Sequence, residues 1–234
     1  MLQLRRLTLA SFESLVTDVL PYVPGCSESL IETNIRSATI DFCERTKAYT
    51  YDLDGITAIS GVYEYEFDQP SGTDVHQILW ATHDGHDLDP ISPRSLELNY
   101  PDWRDRSGTP TVYLQKTADT FWLVPVPSGS NKEVLVNVAL KPTRTTNNID
   151  TEFSDTYRDG IIFGAIYRLL RIPAKQWTDP VAAADYFNLF QVEVADAELR
   201  GRGGDLGVKR TVKYKSAGLS PRKRYGRYGK ELDY

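Results

Sequence analysis

At 234 residues, 41% hydrophobic and 25% charged, the chain is long enough to bury a substantial core in one large domain or two small ones, which excludes disorder throughout. Its two cysteines, Cys26 and Cys43, have no CxxC spacing, so a disulfide framework and a cysteine-rich zinc site are excluded and a reducing compartment fits. The net charge of -5 conceals a division: residues 202–234 carry ten Lys or Arg against three acids, +7, while the other 201 residues carry 17 basic and 29 acidic side chains, -12.

The N-terminal stretch alternates Leu2 and Leu4, then Leu7 and Leu9, which suits a short strand or an extended arm. Arg5 and Arg6 interrupt it, and no apolar run approaches the roughly 18 residues of a membrane span, so neither signal peptide nor membrane anchor is expected. Ser11 can cap a short helix bearing Phe12, Leu15, Val16, Val19 and Leu20, ended by Pro21. A longer helix begins at Ser27 or Ser29, with Ser29 and Glu32 at capping-box spacing. Ile31, Ile35, Ala38 and Phe42 form its apolar stripe, and it ends near Lys47.

From Tyr49 the hydrophobic period changes from helical to two. Tyr63, Tyr65 and Phe67 alternate with Glu64 and Glu66, and Val134, Val136, Val138 and Leu140 alternate with Leu135, Asn137 and Ala139. Further strands are expected at VHQILWAT, PTVYLQKT and TFWLVPVP, separated by SGT, DG, SGTP and PSGSN turns, giving about six short strands over 49–142. Pro125 and Pro127 end the TFWLVPVP strand or put it at an edge.

Helices return after the polar run TRTTNNIDTE. Ser154 and Asp155 can cap a helix carrying Ile161, Ile162, Ala165, Ile166, Leu169 and Leu170, stopped by Pro173. Gly160 and Gly164 lie one turn apart inside it, each costing about 1 kcal/mol relative to Ala, so close approach of another backbone is the expected compensation. Asp179 and Pro180 read as N-cap and first residue of a last helix. Its stripe is Ala183, Phe187, Phe190, Val194 and Ala197, and its polar face is Asp185, Asn188, Glu193 and Asp196. The short connection IPAKQWTD, with Pro173 and Trp177, favours two antiparallel helices pinned by an aromatic wedge. The fold class expected is therefore α+β: a helical bundle from 1–48 and 151–201, an inserted antiparallel β domain at 49–150, and an extended basic tail at 202–234.

Chemistry is sparse. His76, His83 and His86 share one region, but Asp84-Gly85 is a preferred two-residue hairpin turn that brings His83 opposite His86 for structural reasons, and spacing fixes no third metal ligand. DLDP does not follow the EF-hand pattern. There is no GxSxG, no SxxK and no His beside either cysteine, and the glycines at 201–207 follow a helix without a Gly-Lys-Ser/Thr end, so no enzyme, cofactor or metal site is expected. Trp80, Trp103, Trp122 and Trp177 read as packing residues.

The tail carries the functional signal. In it VKRTVKY can add as a strand to a partner's sheet edge, through Lys209, Arg210, Val212, Lys213, Tyr214 and Lys215, with Arg222, Lys223, Arg224 and Arg227 adding charge. Docking to a protein competes there with nucleic-acid contact by Lys, Arg and Tyr, and with a plain solvated tail.

The succession ESLIETNIRSATIDFCERTKAY, LDPISPRSLELNYPDWRDRSGTPTVYLQ, FWLVPVP, VNVALKP and YRDGIIFGAIYRLLRIPAKQWTDPVAAADYFNLFQVEVADA resembles the head-to-tail adaptor proteins of tailed bacteriophages. It is also similar to the adaptor-type tail tubular proteins of short-tailed phages. The resemblance spans roughly residues 10–200, with its most specific stretch at 164–177, and beyond 201 only the basic, extended character matches. It implies a structural virion protein without enzymatic activity at the head-tail junction, forming a ring, usually of twelve subunits, beneath the portal protein. A tail or nozzle protein would attach below, genomic DNA would pass through, no membrane would be involved, and residues 209–227 would dock on the portal.

Overall fold

The computed structural model describes residues 8–203. In chain order come β1 (Leu9–Ser11), α1 (Glu13–Val19), α2 (Glu28–Thr46), β2 (Thr50–Ala58), β3 (Glu64–Glu66), β4 (Thr73–His83), β5 (His86–Asp87), β6 (Asp89–Pro90) and α3 (Pro93–Asn99). There follow β7 (Ser107–Gly108), β8 (Val112–Gln115), β9 (Thr120–Val124), β10 (Val126–Pro127), β11 (Lys132–Pro142), β12 (Asn148–Asp150), α4 (Thr151–Thr156), α5 (Arg158–Leu170) and α6 (Pro180–Gly203). The fold is mixed α+β. One four-stranded sheet has the order β2-β11-β4-β5 and a second the order β3-β9-β8-β6; β1 pairs with β12 and β10 with β7. All these pairings are antiparallel except β6 with β8 and β10 with β7.

The helical periodicity reads through to the packing. Ile31, Ile35, Ala38 and Phe42 of α2 are all fully buried, and the helix ends at Lys47, whose φ of 55° gives a left-handed cap. Ser27, one of the two expected starts, is the N-cap, and the Ser29–Glu32 capping box is not formed, because the helix starts two residues before a Ser29 cap would place it and Glu32 instead pairs with Arg36 at 2.9 Å. The cap expected at Ser154 and Asp155 is also corrected. The chain already turns helical at Thr151 with Asp150 as N-cap, whose carboxylate accepts from Glu152 N at 3.4 Å, and Ser154 is buried inside α4. A break at Tyr157 then separates α4 from α5.

α5 lies between α2 and α6 and runs antiparallel to both. A methyl built on Gly164 would lie 2.9 Å from Ala38 Cβ and 2.9 Å from the Phe190 ring, and one on Gly160 would lie 2.8 Å from the Phe42 ring. The two glycines thus admit side chains of both neighbours, where the sequence suggested a backbone. Asp179 caps α6 as expected, its carboxylate accepting from Val181 N and Ala182 N at 3.0 Å each. Of the expected α6 stripe, Ala183, Phe190, Val194 and Ala197 are buried, but Phe187 is exposed and only edges onto Tyr167.

One hydrophobic core runs from the helices through the first sheet to the second, taking in Phe42, Ile161 and Phe190, then Leu53, Val136 and Leu140, then Phe121 and Leu123. Lys141 on β11 ties the sheet to α2 through Glu44 at 2.7 Å. A smaller core of Leu96, Trp103, Val112, Leu114 and Val124 sits under α3, a helix the period-two reading of 49–142 overlooked.

Candidate docking surfaces

The ten tail residues singled out by sequence, Lys209, Arg210, Val212, Lys213, Tyr214, Lys215, Arg222, Lys223, Arg224 and Arg227, all lie outside the described residues. What the structure describes is the surface around the point where the tail leaves. α6 leads into it, and Gly201 there approaches α2: a Cβ on Gly201 would sit 3.7 Å from the carbonyl oxygen of Thr46.

The outer side of α6 is unusually apolar for a surface helix. Val181, Phe187, Leu189, Val192 and Leu199 are all exposed, Val181 at 76% and Leu199 at 68%. Leu189, Val192 and Leu199 recur at intervals of three and seven, one helical face apart from the buried stripe, and that second period is the signal by which the sequence could have shown them. On the first sheet, Trp80 and Leu135 are exposed. Asn137, opposite Trp80 in the register, donates from Nδ2 to Asp52 Oδ1 at 2.6 Å. The alternation read at 63–67 is observed on β3: Tyr65 and Phe67 are buried while Glu64, Glu66 and Asp68 are exposed.

The histidines do not converge on a ligand. Asp84 and Gly85 form the hairpin turn with φ of 51° and 77°, and His83 pairs with His86 across it. His83 is buried with neither ring nitrogen hydrogen-bonded, whereas His86 is exposed. Burial therefore lowers the His83 pKa, against the partial support of Asp84, whose own carboxylate is held by Lys132 at 2.8 Å. His76 is lowered for the same reason. Cys26 and Cys43 are free, buried, and raised by burial, which disfavours the thiolate at both. Among the described residues no group of three or more His, Cys, Asp or Glu could hold a metal ion, and no helix is long and apolar enough to cross a membrane.

Exposed apolar side chains on α6 and on the first sheet are surface of the kind that contact sites use. Residues 10–211 match the model of the SU10 adaptor protein family, a span that takes in the helices, both sheets and the start of the tail. No curated protein matches the chain.

Proposed function

The chain belongs to the SU10 adaptor protein family, a family of phage structural adaptors, and we propose that it forms a ring between the portal protein and the tail of a short-tailed phage, continuing the DNA channel. In this reading the helices α1, α2, α5 and α6 form the assembling body, residues 49–150 act as an inserted unit, and residues 209–227 dock on the portal. The observation that carries it is the family match over residues 10–211 of a chain whose remaining C-terminal segment is strongly basic. Two features support it. The exposed apolar outer side of α6 is surface of the kind subunit contacts cover, and a repeated heterologous contact closes into a ring when its rotation divides a circle. The acidic body, -12 over residues 1–201, suits a channel wall, because negative surface does not adhere to passing DNA.

The test is deletion of residues 206–234. Attachment to the portal, read by co-sedimentation and by electron microscopy of the mixed proteins, is lost while the circular dichroism spectrum of the body is retained. Retained attachment overturns the docking role. If the tail instead grips DNA, binding to a duplex falls steeply between low and physiological salt, by the release of counterions from several phosphates.

A further inference from the structure

We infer that the N-terminal arm of this chain, residues 4–7, lies in the cleft between α4 and the start of β2 of the same copy, with Arg5 ion-paired to Glu152. Both crossings of the chain between helices and sheet meet at this cleft: Ala48, Tyr49 and Thr50 lead from α2 into β2, and Asp150 and Glu152 lead from β12 into α4. The cleft holds about 210 Å³, and its remaining wall is Phe153, Thr156 and Tyr157. Tyr49, Phe153 and Tyr157 stand in a row, with ring centroids 5.0 Å apart at each step.

The first described residues lead into it. Thr8 O accepts from both the amide and Oγ1 of Thr151 at 2.8 Å, which holds the chain against the first residue of α4. β1 runs antiparallel to β12 with Leu9 opposite Asp150, so the residues before Thr8 continue past Asp150 along α4. An extended chain spans about 10 Å from Thr8 to Arg5, and α4 rises about 8 Å from Thr151 to Thr156. Arg5 thus comes level with the far end of the cleft. Alternation decides which side it takes. Leu9 lines a second cleft that adjoins the first through Tyr49 and Asp150 and is walled by Pro70, Pro142 and Ile149. In an extended chain Leu7 and Arg5 share the face of Leu9, and Arg6 takes the opposite one. That face reads Leu9, Leu7, Arg5: apolar beside the apolar cleft, and cationic where the exposed Glu152 joins the lining. A guanidinium can pair with the Glu152 carboxylate while stacking on the Tyr157 ring. Arg158, the next cation along the chain, is engaged by Asp18 at 2.8 Å.

The basic C-terminal tail also starts nearby, because Gly201 of α6 approaches Thr46. The arm is the better occupant. The first Lys or Arg past Gly203 is Lys209, six residues on, with Gly204 and Gly207 to be ordered and the acidic Asp205 between. Arg5 is three residues from a strand already bonded at the rim of the cleft, and that strand belongs to the same chain as Thr151. The inference goes beyond the adaptor reading and does not depend on it: the arm clasps the two crossings and holds α4 against the sheet.

Residue-resolved amide exchange of the full chain by nuclear magnetic resonance reads the clasp at Tyr157, whose N–H donates to Phe153 O at 3.1 Å. R5E and E152R each speed exchange there roughly two- to fivefold, the range of a partly exposed ion pair. R6E leaves the parent rate. R5E/E152R returns to within about twofold of the parent, the remainder being the cost of a cation at the start of α4. In the parent itself, an Overhauser contact joins the Arg5 side chain to the Tyr157 ring. Exchange unchanged in R5E, an equal response to R6E, or a double change that adds the two losses overturns the inference. Deletion of residues 206–234 leaves exchange at Tyr157 as in the parent; faster exchange there with R5E silent gives the cleft to the tail, and protection that fades on dilution gives it to the arm of a second copy, and either result sinks the inference. Should R5E or E152R lower helix content by circular dichroism, R5Q, which removes the charge alone, speeds exchange in the same direction, and absence of the Overhauser contact in the parent is then decisive against the clasp.

Discussion

Gly164 stands where α5 is closest to both of its neighbours. In an open helix, Gly to Ala gains about 1 kcal/mol. Here the added methyl meets Ala38 Cβ and the Phe190 ring at 2.9 Å, and Ala38 has no rotamer with which to yield. Overpacking of a tight core costs about 1–3 kcal/mol and outweighs the propensity gain, so G164A destabilises the chain by roughly 1–2 kcal/mol in urea denaturation. G160A costs less, because its closest neighbour is the edge of the Phe42 ring at 2.8 Å, which can tilt. Stability of G164A equal to or above that of the parent would show that the helices can part without loss. His83 makes a second prediction at this scale. Its ring is buried without a partner, among Asp84, Lys132 and His86, and its pKa in the folded chain lies below the ordinary 6.5. Below pH 6.5 the unfolded chain binds a proton that the folded chain resists, so the stability present above 6.5 is lost as pH falls through the window between the two values. His76 is lowered in the same sense. Replacing His83 with Leu flattens the dependence of melting temperature on pH between 7.5 and about 5 without abolishing it. A parent curve already flat over that range contradicts the assignment.

At the scale of elements, what could be read from sequence depended on whether the signal was contiguous. Asp179 followed by Pro180 is a helix start written in adjacent residues, and the two amide bonds to Asp179 Oδ1 confirm it. D179A removes both and costs about 1 kcal/mol, up to about 2, by thermal or urea unfolding, while D179N retains most of the stability because its carbonyl still accepts. The Asp84-Gly85 turn was legible for the same reason, since both residues take positive φ. Ser154 and Asp155 misled because they sit at a plausible distance from the apolar period, although Asp150, four residues earlier, ends β12 and caps α4 directly. α3 escaped notice because a seven-residue helix contributes one buried residue, Leu96, too little for a period to form. Its Ser92-Pro93 start, where Ser95 N donates to Ser92 Oγ at 3.2 Å, was the available signal. The exposed face of α6 was obscured by the buried one, since a helix apolar on two sides satisfies the core period whichever side is counted.

At the scale of the whole molecule, charge divides the chain and packing unites its described part. Charge was fully legible, because it needs only counting: -12 in residues 1–201 and +7 beyond. The continuity of the core was not, since an insert with its own strands reads the same in sequence whether or not it shares side-chain contacts with the helices. Phe42, Leu53, Val136 and Phe121 belong to one buried cluster, and a boundary drawn at residue 49 or 150 cuts through it. Exposing either side of that cluster costs apolar surface on both, at about 25 cal/mol per Å². Helices and sheets therefore unfold together. Far-ultraviolet circular dichroism, weighted to α2, α5 and α6, and tryptophan fluorescence give coincident transitions in urea, although Trp103 and Trp122 report from the smaller core under α3. The ladder joining β8 to β9 couples that smaller core to Phe121 and Leu123 of the larger one, since strand β9 supplies residues to both. Fluorescence that changes at lower urea than circular dichroism would mean that the α3 unit opens by itself, and that the shared strand does not carry cooperativity from one core to the other.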